Sequence, residues 1–364
     1  MIDLIRSHLK NYHARLPKRV SRGGQAKSLS RKKEPKIYVF SVFAAWREAL
    51  RAFELVFEID SSLFRPALAL LFLLQVFIGC RTSPTESSGT TPLSSAGVYV
   101  VNEGNYQRAN ASLTFYMPDS NKAFQNVFTL ANGRDLGDTG NDIAIYGGRA
   151  YIVVSGSQKV EVISTADHKS VGTLQIPGQR TPYDIVVLSD AKAYVTNLMD
   201  SSVTAFNPST LQVVFDRIKV GGNPQGIATA NGKIYVCNSG FGYDNTVTVL
   251  NAGTGVLIKT IVVGDSPSEV GVGLNNVVIV KCDGKSDYSN SANDTPGTIA
   301  VINSESDAII IKAILPLVTY GHPGHMTVSS KGYGYFAGKA GIIRFSFTAS
   351  TLNVEGTPFS TMQA

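Results

Sequence analysis

Self-similarity at a period near 42 residues dominates this chain and restricts it to a repeat architecture. The segments Asn141-Asp142-Ile143-Ala144, Tyr183-Asp184-Ile185-Val186, Gln225-Gly226-Ile227-Ala228 and Ser268-Glu269-Val270-Gly271 align on apolar anchors. Those anchors, Ile143, Ile185, Ile227 and Val270, are spaced by 42, 42 and 43 residues. A fifth copy, Pro323-Gly324-His325-Met326, follows after 56, and the excess is assigned to an insertion at Lys285–Pro296. Pro182, Pro224, Pro267 and Pro323 each stand shortly before an anchor.

Each anchor is followed by a second strand, such as Tyr151-Ile152-Val153, Tyr194-Val195-Thr196-Asn197, Tyr235-Val236-Cys237-Asn238, Val277–Val280 or Tyr335-Phe336. The turns between, Gly147-Gly148, Ser189-Asp190, Asn231-Gly232 and Asn275-Asn276, have the chemistry of tight hairpins. A third strand alternates at Val160/Val162, Val203/Ala205, Val247/Val249, Ile299/Val301 and Ile342/Arg344, and a weaker fourth follows. No helical periodicity of useful length follows residue 80. Four short antiparallel strands per repeat make one propeller blade, so the fold class is an all-β propeller of four-stranded blades.

Tyr194-Val195-Thr196-Asn197 is the tetrapeptide of the YVTN, or YncE-like, propeller-repeat family, with variants at 98–102 and 235–238. Val98–Asn105 and Gly133–Tyr146 resemble extracytoplasmic propeller lipoproteins of the Bacteroidota. The resemblance runs from about Val98 to the C-terminus. The absence of any Trp-Asp dipeptide argues against WD40 repeats.

Second and third strands can each be counted six times, whereas strands nearest the axis are found only five times. The first blade lacks one, because a tether precedes it, and a D strand at Asn353–Phe359 uses up most of the C-terminal tail. The expectation is a seven-bladed ring cut short, with six blades detectable.

Ahead of the repeats, the apolar run Ala67–Ile78, broken only by Gln75, is too short to span a bilayer but fits the core of a signal peptide. Phe77-Ile78-Gly79-Cys80 resembles a bacterial lipobox, which implies lipidation at Cys80. The domain reading is therefore an N-terminal extension at 1–62, a lipoprotein signal peptide at 63–80, a Ser/Thr/Pro tether at 81–96 and the propeller at 97–364. The 62 leading residues suit either a cytoplasmic extension or a start site placed too early; translation from near Leu63 is the preferred reading.

The formal charge of +6 invites a nucleic-acid reading that its distribution refuses. Residues 1–80 hold 14 Lys+Arg against 6 Asp+Glu, and the remainder 19 against 21. Three cysteines exclude a disulfide scaffold. Cys237 and Cys282 are expected as buried free thiols.

Loops leading into strand A and loops joining B to C emerge on one face of a propeller, around its channel, where several blades converge on a concave site. On the first set lie Asp142, Tyr183, Asp184, Gln225, Glu269 and His325. The second adds Glu103, Asn105, Tyr106, Asn197, Asp200, Asn238, Phe241, Tyr243, Asp283 and Tyr288. Aromatic and amide groups around a channel suit capture of a polar, partly planar small molecule, although loop residues of these types also serve to satisfy local backbone. His322 and His325 lack the further ligands a zinc site needs. Asp283, Asp287, Asn293 and Asp294 lack EF-hand spacing. No metal or cofactor is expected, and no catalytic serine arrangement is present.

The leading reading is a non-enzymatic, lipid-anchored propeller outside the cytoplasm that captures a small molecule or docks a partner. What the resemblance implies is a cobalamin-type ligand, a TonB-dependent outer-membrane transporter as partner, and attachment in the outer membrane or periplasm. Two alternatives remain: a calcium-dependent lactonase drawing on Glu269, Asn141, Asp142 and Asp184, and an adhesion or scaffold module.

Overall fold

A computed structural model describes residues 40–41 and 96–360. They form a six-bladed β-propeller in which every blade is a four-stranded sheet. With strands named A to D from the axis outward, the second blade runs Gly140–Tyr146, Arg149–Val154, Lys159–Ser164 and Ser170–Gln175. The third runs Pro182–Ser189, Lys192–Asn197, Ser202–Asn207 and Gln212–Lys219. The fourth runs Pro224–Ala230, Lys233–Asn238, Thr246–Asn251 and Leu257–Val262. Strands Pro267–Val272, Val278–Cys282, Gly297–Asn303 and Ala308–Leu315 make the fifth, and Met326–Ser329, Tyr333–Gly338, Gly341–Phe347 and Leu352–Val354 the sixth. Neighbouring strands in these five blades are antiparallel.

Turn chemistry explains the hairpins. In the A–B turns of the second and fourth blades both central residues have positive φ, 56° and 74° at Gly147-Gly148 and 48° and 70° at Asn231-Gly232. Such turns match the right-handed twist of the strands they join.

Blade stacking explains the burial. Tyr194, Val195, Thr196 and Asn197 are all 0% exposed, so strand B of the third blade is covered on both faces. The fourth and fifth blades repeat this pattern. Each buried Val or Ile there contributes about 1.5–3 kcal/mol. Strand B of the sixth blade instead alternates, with Gly334, Phe336 and Gly338 buried and Tyr333, Tyr335 and Ala337 more open.

Several expectations change. The first blade, with strands Val98–Asn102, Ser112–Met117 and Lys122–Phe124, does have a strand in its innermost position. Phe40–Ser41 occupies it, pairing in parallel with Val100 and Val101. An unpaired strand edge accepts any extended segment that reaches it, and this one comes from the region read as an N-terminal extension. The long fifth repeat owes its length to two segments, the loop between Cys282 and Gly297 and the helix Leu317–Tyr320. A second helix covers Val127–Asn132, and among the described residues none is long and apolar enough to cross a membrane. The sixth blade's D strand is only Leu352–Val354; the tail returns to the sheet through Phe359 N–H donating to the Ile342 carbonyl. Cys80, the signal peptide and all of the tether but Ala96 lie outside the described residues.

His168 closes the seam between the first two blades. Its ring stands edge-on to Tyr99 at 5.6 Å and tilted against Phe115 at 5.3 Å. Neither ring nitrogen, nor the Tyr99 hydroxyl, has a hydrogen-bond partner among the described residues. Burial therefore holds the His168 pKa below its ordinary 6.5. Stability from this neutral histidine is intact above that value and is lost as the pH falls, because the unfolded chain then binds a proton that the folded site refuses. Thermal melts between pH 5 and 8 should show an acid-side loss for the wild type that is smaller in His168→Leu; equal slopes would contradict this account.

Candidate functional site

The residues just before each anchor form a ring around the channel, occupied in the second to sixth blades by Asp142, Asp184, Gly226, Glu269 and His325. The acids bond to the following blade. Asp142 Oδ2 accepts the Ile185 N–H at 3.1 Å, Asp184 Oδ2 accepts the Ile227 N–H at 2.9 Å, and Glu269 Oε2 accepts the Met326 N–H. An inner strand has no β partner on its axial edge, and these carboxylates satisfy its N–H groups; the Ile185 N–H is shared with Asp184 Oδ1 of its own blade at 2.6 Å.

Strand B supplies a second ring of equivalent positions. Register with the anchors places Thr196, Cys237 and Lys281 at equivalent positions. Thr196 donates to the Gln225 carbonyl at 2.9 Å, and Lys281 Nζ to the carbonyls of Pro323 and Gly324 at 3.2 and 2.7 Å. The fourth blade offers Gly226 and Cys237 at these two positions, so neither bond crosses to the fifth. Close approach replaces them: a Cβ on Gly226 would lie 2.8 Å from the Ser268 carbonyl oxygen and 2.9 Å from Glu269 Cα. Cys237 and Cys282 are buried free thiols at this seam, and burial pushes the Cys282 pKa up to about 12.

Charge in the channel is arranged around these bonds. Asp184 is ringed by protein, and burial together with the adjacent Asp142 carboxylate pushes its pKa well above the usual carboxylate range. Burial opposes charge on Glu269, but Lys281, His325 and the Met326 N–H outweigh it and hold the carboxyl low. Lys281 is likewise opposed by burial, and Asp283, bonded at 2.6 Å, and Glu269 overcome that and keep it protonated. His325 Nδ1 lies 2.8 Å from Glu269 Oε1, a contact that raises its pKa. The Tyr183 hydroxyl is held neutral by burial and by the fields of Glu269, Asp184, Asp283 and Glu103.

Two other candidates are structural clamps. Asn197 Nδ2 donates to Ser202 and Thr204 at 3.0 Å each, and Asn238 Nδ2 to Thr246 and Thr248 at 3.0 and 2.9 Å. Asn102 repeats the bond to Ser112 and Thr114. The asparagine of the tetrapeptide therefore ties strand B to a Ser/Thr-x-Thr on strand C. Asp200 pairs with Arg180 at 2.9 Å and Arg217 at 2.7 Å. Sequence reasoning passed over Glu161, which is fully buried and bonded to Arg134, Lys159, Ser170 and Thr173.

The loops joining B to C are different. Tyr106, Phe241, Tyr243 and Tyr288 are 65%, 54%, 86% and 97% exposed, and all lie on this one set of loops. Asn105 is exposed beside Tyr106, while Glu103 is half-buried and passes its carbonyl to Gly140 N–H. Gln225 is half-buried, with its carbonyl held by Thr196. His322 and His325 do not converge: His322 contacts Ser286 and the Asp283 carbonyl, each at 2.9 Å, whereas His325 faces Glu269. Asp287 accepts from Ser289, Asn290 and Asn293, which holds its pKa low and shapes the inserted loop. Among the described residues no group of three His, Cys, Asp or Glu could hold a metal ion.

Gly226→Ala should cost about 1–3 kcal/mol, because the atoms its Cβ meets are backbone and cannot swing aside. Urea unfolding measures this, and an unchanged midpoint would show that the two inner strands do not meet there.

No curated protein matches the chain. Among solved structures, it is similar to a candidate 6-phosphogluconolactonase from Bacteroides uniformis, with a TM-score of 0.54 and 15% identity over 73% of this chain and 88% of that one. A quinoprotein alcohol dehydrogenase-like protein from Bacteroides thetaiotaomicron gives 0.51 and 14% over 68% and 60%, so the chain spans three fifths of its length. A catalytically inactive virginiamycin B lyase from Staphylococcus aureus, solved with quinupristin, gives 0.50 and 12% over 70% and 82%. At such identities the likeness is one of fold alone. A family profile described as "Domain of unknown function (DUF5074)" matches residues 96–313, which is more than half of the chain, and the protein belongs to that family.

Proposed function

We propose that this propeller is a non-enzymatic binding module whose B–C loop face captures a ligand. The exposed aromatic residues carry the reading. Tyr106 stands on the first blade, Phe241 and Tyr243 on the fourth and Tyr288 on the fifth, all on the loop set that emerges at one end. Aromatic side chains left in water on one face provide large, rigid contact area at small entropic cost, which is the composition of a recognition surface. The channel acids support the same reading from the other side. Asp142, Asp184 and Glu269 already accept backbone N–H bonds, and Asn141 accepts the Ser155 hydroxyl. The set a calcium-dependent lactonase would draw on is thus already engaged, its acids between blades and Asn141 within its own.

The ligand fitting this face is polar and partly planar; a corrinoid is the candidate that the resemblance to Bacteroidota lipoproteins supplies, with a TonB-dependent transporter as docking partner. Lipidation of Cys80 anchors the module outside the cytoplasm through the tether at 81–96.

Thermal-shift measurements on the purified protein against corrinoids, calcium and glycans test the capture. A ligand at 100 times its Kd stabilises by about 2.7 kcal/mol, a shift expected to vanish in Tyr243→Ala/Tyr288→Ala while the unliganded melt stays in place. A ligand shift indifferent to that double variant would move the site elsewhere, and no shift with any of the three classes would count against capture of a small molecule. Cys80→Ser is expected to abolish incorporation of labelled palmitate and release the protein from the membrane fraction. Retention of the label would remove the lipid-anchor reading.

A further inference from the structure

We infer that the cleft between the fourth and fifth blades binds a short neutral oligosaccharide; this rests on the capture-face reading and names its ligand class. The cleft encloses about 650 Å³ and lies between Gly242–Asn245, Asp265 and the inserted loop at Lys285, Asn293 and Thr295. That volume falls within the range of small-molecule sites.

The wall is divided between groups that build it and groups left over. Asp244 builds: one oxygen accepts the Gly222 N–H at 2.8 Å, and the other accepts the Thr246 hydroxyl at 2.6 Å with the Asn245 and Thr246 N–H groups. Asp265 Oδ2 is taken by the Thr295 hydroxyl at 2.8 Å, and Asn293 Nδ2 is spent on Asp287. Among the described residues, Asp265 Oδ1, Asn293 Oδ1 and both atoms of the Asn245 amide have no partner, and Lys285 Nζ meets only the Tyr243 ring, 5.1 Å from its centroid. The cleft thus offers both acceptors and donors. A vicinal diol, in which every hydroxyl both gives and takes a hydrogen bond, matches that mixture.

Tyr243 completes the match. Lys285 covers one side of its ring, and 86% exposure of the side chain leaves area for a second contact. The C–H face of a pyranose would pack there. Other ligand classes fit less well. Two carboxylates, Asp244 and Asp265, against the single ammonium of Lys285 disfavour an anion. Lys285 repels a metal ion, and the polar lining gives an apolar molecule little to bury against. The loop is also held in a costly shape: Phe241 is a bulky residue at φ 49°, between Gly240 at 51° and Gly242 at 93°. A non-glycine residue in that region stores strain that tends to gather at ligand clamps.

Isothermal titration of the purified protein with maltotriose, cellotriose, mannotriose, galactotriose and tri-N-acetylchitotriose tests the inference. At least one trisaccharide should bind, with the affinity about tenfold lower in Tyr243→Ala and in Lys285→Ala. Leu130→Ala, exposed on the helix Val127–Asn132 and away from the B–C loops, should bind as the wild type does, and Tyr243→Phe, which keeps the ring, should recover the affinity that Tyr243→Ala loses. Should Tyr243→Ala melt abnormally, Lys285→Ala and Asp265→Asn decide instead. The inference is overturned if none of the five binds at millimolar concentration, or if binding ignores the cleft variants. A corrinoid captured through Tyr106 with no sugar bound would overturn this inference and leave the capture-face reading standing.

Discussion

The unpaired axial edge of each inner strand is the constraint from which this structure follows. A four-stranded blade satisfies its own backbone everywhere except at its margins, and a buried N–H without a partner costs about as much as a lost hydrogen bond. Ile185, Ile227 and Met326 each present such a group, and each receives a carboxylate from the blade before. Thr196 and Lys281 answer in the opposite sense, donating to carbonyls on the approach to the next inner strand. Apolar packing between blades supplies most of the cohesion, and these polar contacts add directional ties at three of the junctions.

That constraint also decides where recognition chemistry resides. A channel carboxylate committed to a backbone N–H is a poor ligand group, since recruiting it would reopen a buried polar deficit. Loops joining B to C carry no such duty. They lengthen without disturbing the sheets, as the segment between Cys282 and Gly297 does, and can project aromatic rings into water. The fourth and fifth blades show both regimes side by side, with a tight apolar seam at Gly226 and a wide polar cleft in the loops above it.

The period, hairpin turns and tetrapeptide were legible because their physics is local. Residues that meet only across blades were not. Asp142 and Asp184 were visible as equivalent positions of the repeat, but their N–H partners lie 43 residues further along and had no local signature. Asn197 and Asn238 look like loop residues until strand C is read with them; Ser202-x-Thr204 and Thr246-x-Thr248 were the available signal. Lys281 follows the apolar run Val277–Val280 and gives no hint that its ammonium is buried. Alternation on strand C implied one wet face, whereas stacking dries both, so Glu161 lies buried among partners. Phe40–Ser41 carries no local signature of an inner strand, because it lies outside the repeat, 57 residues before Val98.

The carboxylate ring has a direction: every acid serves the blade after it and none the blade before. A repeat unit therefore carries its own adhesive on one side and its own receptor on the other. Duplicating the second, third or fifth unit leaves its new junction chemically complete, whereas inserting half a unit strands an acid and an N–H together; the fourth unit, with Gly226 in place of the acid, joins by close approach instead. Change in blade number is thereby quantised, and a lineage built on this pattern can grow or shrink by single blades while the loops above diversify on their own.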